Sequence, residues 1–181
     1  LAQIEASCRG ASPNPAHCAL ARLEETRPSS LVLTQNIDGL HHAAGSRNLI
    51  EIHGNLRRLC CMRCAFSEEL ASLEGRSLPP LCPACGAVLR PDVVLFGELL
   101  DAGNLRRLHL ALEEGFDLVF SIGTTSTFPY IVEPVAWAIR NGIPTVEINP
   151  QTTSISAHVR YRLPLRAAEA MEALLARSAI G

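Results

Sequence analysis

The chain has no lysine: all sixteen of its basic residues are arginine, and with eighteen acidic residues the formal net charge is -2. A near-balanced chain exerts no general electrostatic pull on nucleic acid or on an anionic membrane. Aromatic residues make up only 4% of the sequence, with a single tryptophan, so a surface built on interleaved aromatic and basic side chains for stacking nucleobases is disfavoured. No apolar run approaches the roughly 18 to 20 residues that span a bilayer. The first residues, LAQIEASCRG, offer neither a basic flank nor the apolar segment of a secretion signal. These absences predict an intracellular, cytoplasmic protein that binds neither nucleic acid nor membrane. They leave its oligomeric state open.

Hydrophobic residues make up 48% of the 181 positions. A chain of this length buries roughly 70% of its unfolded surface, enough for one core with a small satellite. Seven cysteines are present, five of them between positions 60 and 85. That clustering is unlike the spread framework of a disulfide-bonded secreted domain and fits a reducing compartment.

In the first half, SPNPAHCALARLEET (12–26) predicts a helix with Ser12 or Asn14 as cap and Pro15 near its first turn. SLVLT (30–34) predicts a buried strand that presents Gln35 and Asn36 at its C-terminal end. A short helix over 38–44 is closed by Gly45, and LIEIH (49–53) is a strand that ends on His53. From position 101 onward, helix and strand signals alternate: a helix over 101–115, a strand over 117–123, a helix over 129–142, a strand over 144–149, a weak strand over 159–163 and a terminal helix over 166–179. The apolar stripe of that last helix reads as Ala168, Met171, Leu174 and Leu175.

Such alternation defines an α/β fold, a Rossmann-like, mostly parallel sheet with helices on both faces. In sheets of that kind ligands gather outside the carboxyl ends of the strands. Residues 60–86 lack long periodicity and read as a small inserted module, leaving 1–59 and 87–181 for the main domain.

Cys61-x2-Cys64 and Cys82-x2-Cys85, separated by seventeen residues, match the spacing of a four-thiolate zinc site. Four thiolates leave no open coordination position, so the ion is expected to be structural. Cys60 is a spare thiol, and Cys8 and Cys18 read as small core residues. Gln35, Asn36 and Asp38 place two amides and a carboxylate beside a helix N-terminus, which suits a polar ring or a ribose, and capping of the short helix by Asn36 or Asp38 is the competing reading. His53 ends a strand parallel to the one that delivers those residues, and an imidazole there can accept a proton at neutral pH. His41 reads as a packing or capping residue and His42 as exposed, while His17, His109 and His158 carry no motif.

Taken together, TQNIDGLH, EIHG, the two cysteine pairs and LRPDVVLFGE resemble the sirtuins, the NAD-dependent protein deacylases, over nearly the whole chain and in the same order. The resemblance implies that NAD is consumed to remove acyl groups from lysine side chains of a protein or peptide substrate, with release of nicotinamide and O-acyl-ADP-ribose. It assigns His53 as the base that deprotonates a ribose hydroxyl after the acyl oxygen has displaced nicotinamide. Asn36 and Asp38, flanked by Gln35 and Ile37, fall on the nicotinamide pocket and ribose. Gly123, Thr124 and Thr125 fall on the adenosine and phosphate side, and Asn149 on the adenine-side ribose. Val94, Phe96, Gly97 and Glu98 fall on the acyl-lysine tunnel and the strand that pairs with the substrate backbone, an arrangement that reads main chain more than sequence. Cys61, Cys64, Cys82 and Cys85 fall on the structural zinc ligands.

The chain departs from the family pattern in places. Leu95 stands where an aromatic is common, Thr125 replaces serine, and Pro129 comes one residue early. The family's Gly-Ala-Gly-Ile-Ser loop, which cradles the pyrophosphate, has no counterpart here. The expectation is therefore a chain truncated at its N-terminus that by itself holds NAD weakly and turns over little. The alternative to an enzyme is a non-catalytic binder of NAD or ADP-ribose, or a zinc-stabilised interaction module.

Overall fold

The computed structural model describes residues 10–70 and 76–178. Cys8 and position 179 of the expected terminal helix lie outside the described residues. Helix α1 (Pro15–Thr26) begins where Asn14, in extended backbone, accepts the amides of Ala16 and His17 on its side chain. The His17 ring returns the favour by accepting the Asn14 amide at 3.2 Å, so an imidazole supplies the second half of a capping box. Strand β1 (Val32–Thr34) leads into helix α2 (Leu40–Ala44), which ends on Gly45 at φ 107.

Strand β2 (Leu49–Glu51) pairs parallel with β1, Val32 opposite Leu49 and Thr34 opposite Glu51. Arg107 steadies the start of β2, its guanidinium donating to the Leu49 carbonyl at 2.7 Å and to the Asn48 side chain at 2.6 Å. The chain then turns sharply at Gly54 into an antiparallel unit, β3 (Gly54–Cys61), β4 (Ser67–Glu69) and β5 (Leu89–Val93), with β3 in the centre. Residues 60–86 therefore contain strand structure that the absence of periodicity did not reveal: β4 has only three residues, too few for an alternation to register. The antiparallel sheet also reaches back to Gly54 and on to Val93.

Helix α3 (Ala102–Glu114) starts on Asp101, whose carboxylate accepts the Asn104 amide at 2.7 Å. Strand β6 (Val119–Ile122), helix α4 (Pro129–Arg140), strands β7 (Thr145–Ile148) and β8 (Tyr161–Leu163), and helix α5 (Ala167–Ser178) complete the chain. β6, β7 and β8 are parallel, in that order. Among the described residues the parallel strands thus form two pieces, β1-β2 and β6-β7-β8.

Two apolar cores lie against these pieces. Ile50, Ile52, Leu108 and Leu112 gather Leu33, Tyr130 and Trp137 around β2, α3 and α4. Ala16, Ala19, Ile148, Ala170 and Met171 join α1 and α5 over β7. The buried face of α5 is therefore Ala167, Ala170, Met171 and Leu175, with Leu174 37% exposed, one step around the helix from the expected stripe. Ala170, 2% exposed, packs in one cluster with Ala16 and Ala19 of α1. Cys18 is exposed rather than in the core, because the buried positions of α1 are Ala16, His17, Ala19 and Ala21 and it faces away from them.

Candidate functional site

The parallel register of β1 and β2 ends both strands at the same level, so Gln35 and His53 emerge side by side. His53 Nδ1 lies 3.3 Å from the Gln35 main-chain oxygen and Nε2 lies 2.7 Å from the Tyr130 hydroxyl. Gln35 reaches across with its side-chain amide to Thr124 Oγ1 at 3.0 Å, linking the end of β1 to the end of β6. Asn149, just past β7 and 9% exposed, donates to the Thr124 carbonyl at 2.8 Å and accepts the Gln151 amide at 3.0 Å. Residues from four strand ends are thereby tied into one continuous chain: His53, Gln35, Thr124 and Asn149.

Gly54 explains why the sequence turns directly after the histidine. Its φ is 79, and a Cβ built there would lie 2.0 Å from the Asp92 carbonyl oxygen. Only glycine permits both the left-handed backbone and this approach. The close passage places β5 beside His53, whose carbonyl accepts the Val94 amide at 2.9 Å. Past Val94 the chain bends outward. Phe96 is fully exposed and Gly97 has φ 87, while Glu98 accepts the Leu95 amide at 3.0 Å and is clamped by Arg90 through two bonds of 2.6 Å. Those bonds, the Arg90 pair first, hold the Glu98 carboxyl down at about 2.

Asp38 Oδ1 accepts the Leu40 amide at 2.9 Å in a local turn, but the N-cap of α2 is Gly39 and no side chain caps it, so neither Asn36 nor Asp38 is the cap the sequence allowed. The Asn36 side chain makes no hydrogen bond among the described residues and is exposed, free to meet a ligand, and the Ile37 carbonyl accepts the Leu56 amide at 2.9 Å. Gly123 has φ 63 with nothing within 4 Å of the position a Cβ would take. The open space above it, flanked by amides and hydroxyls at strand ends, suits a nucleotide's sugar and phosphates. Thr125 is exposed, and its hydroxyl accepts from Thr127 Oγ1 at 3.0 Å. Phe96, Gly97 and Thr125 are not drawn into the His53–Asn149 chain.

Tyr130 escaped the sequence reading, since it belongs to no motif and its only sign is an aromatic directly after the proline that starts a helix. Glu147 escaped it too. That carboxylate is 1% exposed on β7, accepts from Ser156 at 2.5 Å and from Thr153, and faces Arg162 at 3.4 Å, which fastens the loop after β7. His41 packs edge-on against His17 with ring centroids 4.6 Å apart, and His42 is exposed, both as the sequence suggests.

At the far end of the antiparallel unit the sulfurs of Cys61, Cys64, Cys82 and Cys85 all lie within 4.8 Å of one another. Cys61 and Cys85 are 3.4 Å apart and Cys64 and Cys82 are 3.7 Å apart. Zinc–sulfur bonds of about 2.3 Å in a tetrahedron place sulfurs roughly 3.8 Å apart, so the four thiols fit that ion. The turn from Cys82 to Gly86 is closed by the Gly86 amide on the Cys82 carbonyl at 2.8 Å. Around the cysteines the apolar cluster is small: Leu59, Leu70, Cys82 and Leu89 are its buried members among the described residues. So small a core depends on a staple.

An α/β scaffold whose strand ends gather an imidazole, amides and hydroxyls around an open glycine, next to a four-cysteine cluster, defines a nucleotide-dependent enzyme with a structural metal. Residues 2–129 match the model of the Sir2 family, and the chain belongs to that family. It is 48% identical over 178 residues to NAD-dependent protein deacylase 2 of Pseudomonas syringae pv. tomato, covering 97% of this chain and 72% of the relative. It is 47% identical over 174 residues to NAD-dependent protein deacylase 2 of Pseudomonas aeruginosa, covering 94% of this chain and 68% of that one.

Among solved structures, a Sir2 homologue in complex with NAD superposes with a TM-score of 0.89 at 36% identity, over 99% of this chain and 71% of the other. A complex of Sir2 with a p53 peptide and NAD+ superposes at 0.83 and 31% identity, over 97% and 74%.

Proposed function

We propose that this protein is an NAD-dependent protein-lysine deacylase in which His53 is the general base. The observation that carries the reading is the convergence of His53, Gln35, Thr124 and Asn149 at neighbouring strand ends. Bound NAD would supply a glycosidic carbon able to release nicotinamide and a ribose hydroxyl able to take the acyl group as O-acyl-ADP-ribose, so the overall chemistry is a group transfer. Asn36 and Asp38, with Gln35 and Ile37 beside them, face the nicotinamide end. Gly123, Thr124, Thr125 and Asn149 take the adenosine end, where the Asn149 bond to the Thr124 carbonyl keeps the loop open for the sugar.

His53 accepts the proton of a ribose hydroxyl on Nε2, because the Gln35 carbonyl opposite Nδ1 can only accept and so keeps a hydrogen on that nitrogen. Val94, Phe96, Gly97 and Glu98 receive an extended acyl-lysine peptide. The exposed Phe96 supplies apolar surface for the acyl chain, and the Arg90 clamp on Glu98 fixes the segment that pairs with substrate main chain. Cys61, Cys64, Cys82 and Cys85 hold zinc as a structural ion in the 60–86 module, outside the main domain of 1–59 and 87–181. No helix among the described residues is long and apolar enough to cross a membrane; none of the six described cysteines is in a disulfide, which supports a cytoplasmic setting.

The test uses the natural full-length protein with an acyl-lysine peptide. Deacylated peptide, nicotinamide and O-acyl-ADP-ribose are expected in equal amounts, and only with NAD present. Peptide deacylation that proceeds without NAD, or NAD binding with no nicotinamide released, defeats the proposal.

A further inference from the structure

His53 shows its two ring nitrogens to two unlike partners. Nδ1 faces the Gln35 carbonyl at 3.3 Å, which can only accept, so Nδ1 carries the hydrogen. In the neutral ring Nε2 is then an acceptor, and the Tyr130 hydroxyl at 2.7 Å is its donor. The ring is also fixed in direction. Tyr130 meets it edge-on at 5.8 Å and Phe128 at 6.2 Å, and these two aromatic rings stack on each other at 5.4 Å with planes 14° apart. Both come from the turn that starts α4, where Phe128 is the cap and Pro129 the first helical residue. Burial pushes the Tyr130 phenol up, so it keeps its proton at neutral pH.

We propose that Tyr130 is a positioning residue for the base: in the free protein its hydroxyl, donating to Nε2, reinforces the Nδ1–H tautomer that the Gln35 carbonyl selects over its long bond and fixes the orientation of His53, and it yields Nε2 to the ribose hydroxyl when NAD binds. The inference rests on the assignment of His53 as the base. Its chemistry balances with no further reactant. The ribose O–H bond breaks, its proton forms an Nε2–H bond, and Nδ1–H stays on the Gln35 carbonyl. A phenol oxygen both donates and accepts, so the Tyr130 contact that holds the neutral ring can afterwards accept from Nε2–H of the imidazolium. Without that hydroxyl nothing among the described contacts selects which nitrogen carries the lone pair except the long bond to Gln35.

Tyr130→Phe removes only the oxygen and keeps the ring stack. Three readings are taken on the full-length protein: the tautomer of His53 by ¹⁵N NMR without ligand, nicotinamide exchange into NAD in the presence of acyl-lysine peptide, and net deacylation. The variant is expected to move His53 toward the Nε2–H tautomer and to lower kcat for deacylation roughly 3- to 10-fold, the worth of one hydrogen bond. Exchange precedes the proton transfer and should stay within about twofold.

An unchanged tautomer with unchanged kcat overturns the inference. So does an equal loss of exchange and deacylation, which marks a merely structural role. Should Tyr130→Phe fail to fold, 3-fluorotyrosine at position 130 replaces it. This stronger donor of nearly the same shape should raise the Nδ1–H fraction, and a fraction that does not rise refutes the idea. His53→Ala, run in parallel, separates the two levels: deacylation surviving in His53→Ala removes the base itself, whereas its loss there, with Tyr130→Phe indistinguishable from wild type, removes only the role of Tyr130.

Discussion

Replacing Gly54 by alanine should damage the protein more than any other single methyl group added near the site. The added Cβ lies 2.0 Å from the Asp92 oxygen, 2.9 Å from its carbonyl carbon and 3.0 Å from Val93 Cα, all backbone atoms that no rotamer change can move. Holding alanine at φ 79 costs about 1–2 kcal/mol, and relieving the contact parts Gly54 from Val93 at the head of the β3–β5 pairing. The neighbouring Val94-to-His53 bond then opens as well. At about 1 kcal/mol for each of two lost hydrogen bonds, the sum is roughly 3–4 kcal/mol. In a chain of this size that lowers Tm by roughly 6–16 °C. Thermal unfolding reads the total, and amide hydrogen exchange at Val94 reads the local opening. A Gly54→Ala protein with unaltered Tm and an equally protected Val94 amide would refute the reasoning about this turn.

Two further perturbations probe other parts of the account. Chelation, or Cys82→Ser, should strip one zinc ion per chain and melt the β3-β4-β5 unit, whose apolar cluster beside the cysteines has four buried residues among those described; metal analysis with circular dichroism checks it, and full metal content after Cys82→Ser would contradict it. Stability should also fall on acidification, because burial lowers His17 and burial with His17 lowers His41. A depressed imidazole contributes stability that is present above the ordinary value of 6.5 and is lost as pH drops below it. Tm should therefore decline from pH 7.5 to 5.5, less steeply in His41→Gln, and equal slopes in the two proteins would speak against it.

Much of the fold was legible because periodicity and caps agree. Asn14 before Pro15, Gly45 after the short helix and the apolar runs at 30–34 and 117–123 all mark elements where the structure has them. The cysteine pairs were readable from spacing alone, since four ligands at fixed intervals have few other uses. What stayed hidden depends on distant contacts. Tyr130 matters because α4 begins beside β2, a pairing 77 residues apart in sequence that no local pattern encodes. His17 looked idle because an imidazole rarely completes a capping box. The α5 stripe differs from the expected one because Ala167 and Ala170 pack with Met171 and Leu175 against the alanines of α1, while Leu174, more hydrophobic, is 37% exposed. In the cysteine module β4 has only three residues, and the β3–β5 register shifts between Asn55 and Leu59, so little alternation is left to read.

The most direct test of the central claim is His53→Ala in the full-length protein, assayed for acyl-lysine deacylation and nicotinamide exchange side by side. A positioned base contributes ~10²–10⁴-fold. Deacylation is predicted to fall by that factor while zinc content and fold persist and exchange declines far less. Deacylation within about threefold of wild type, at a level a base could not have governed, would contradict the account.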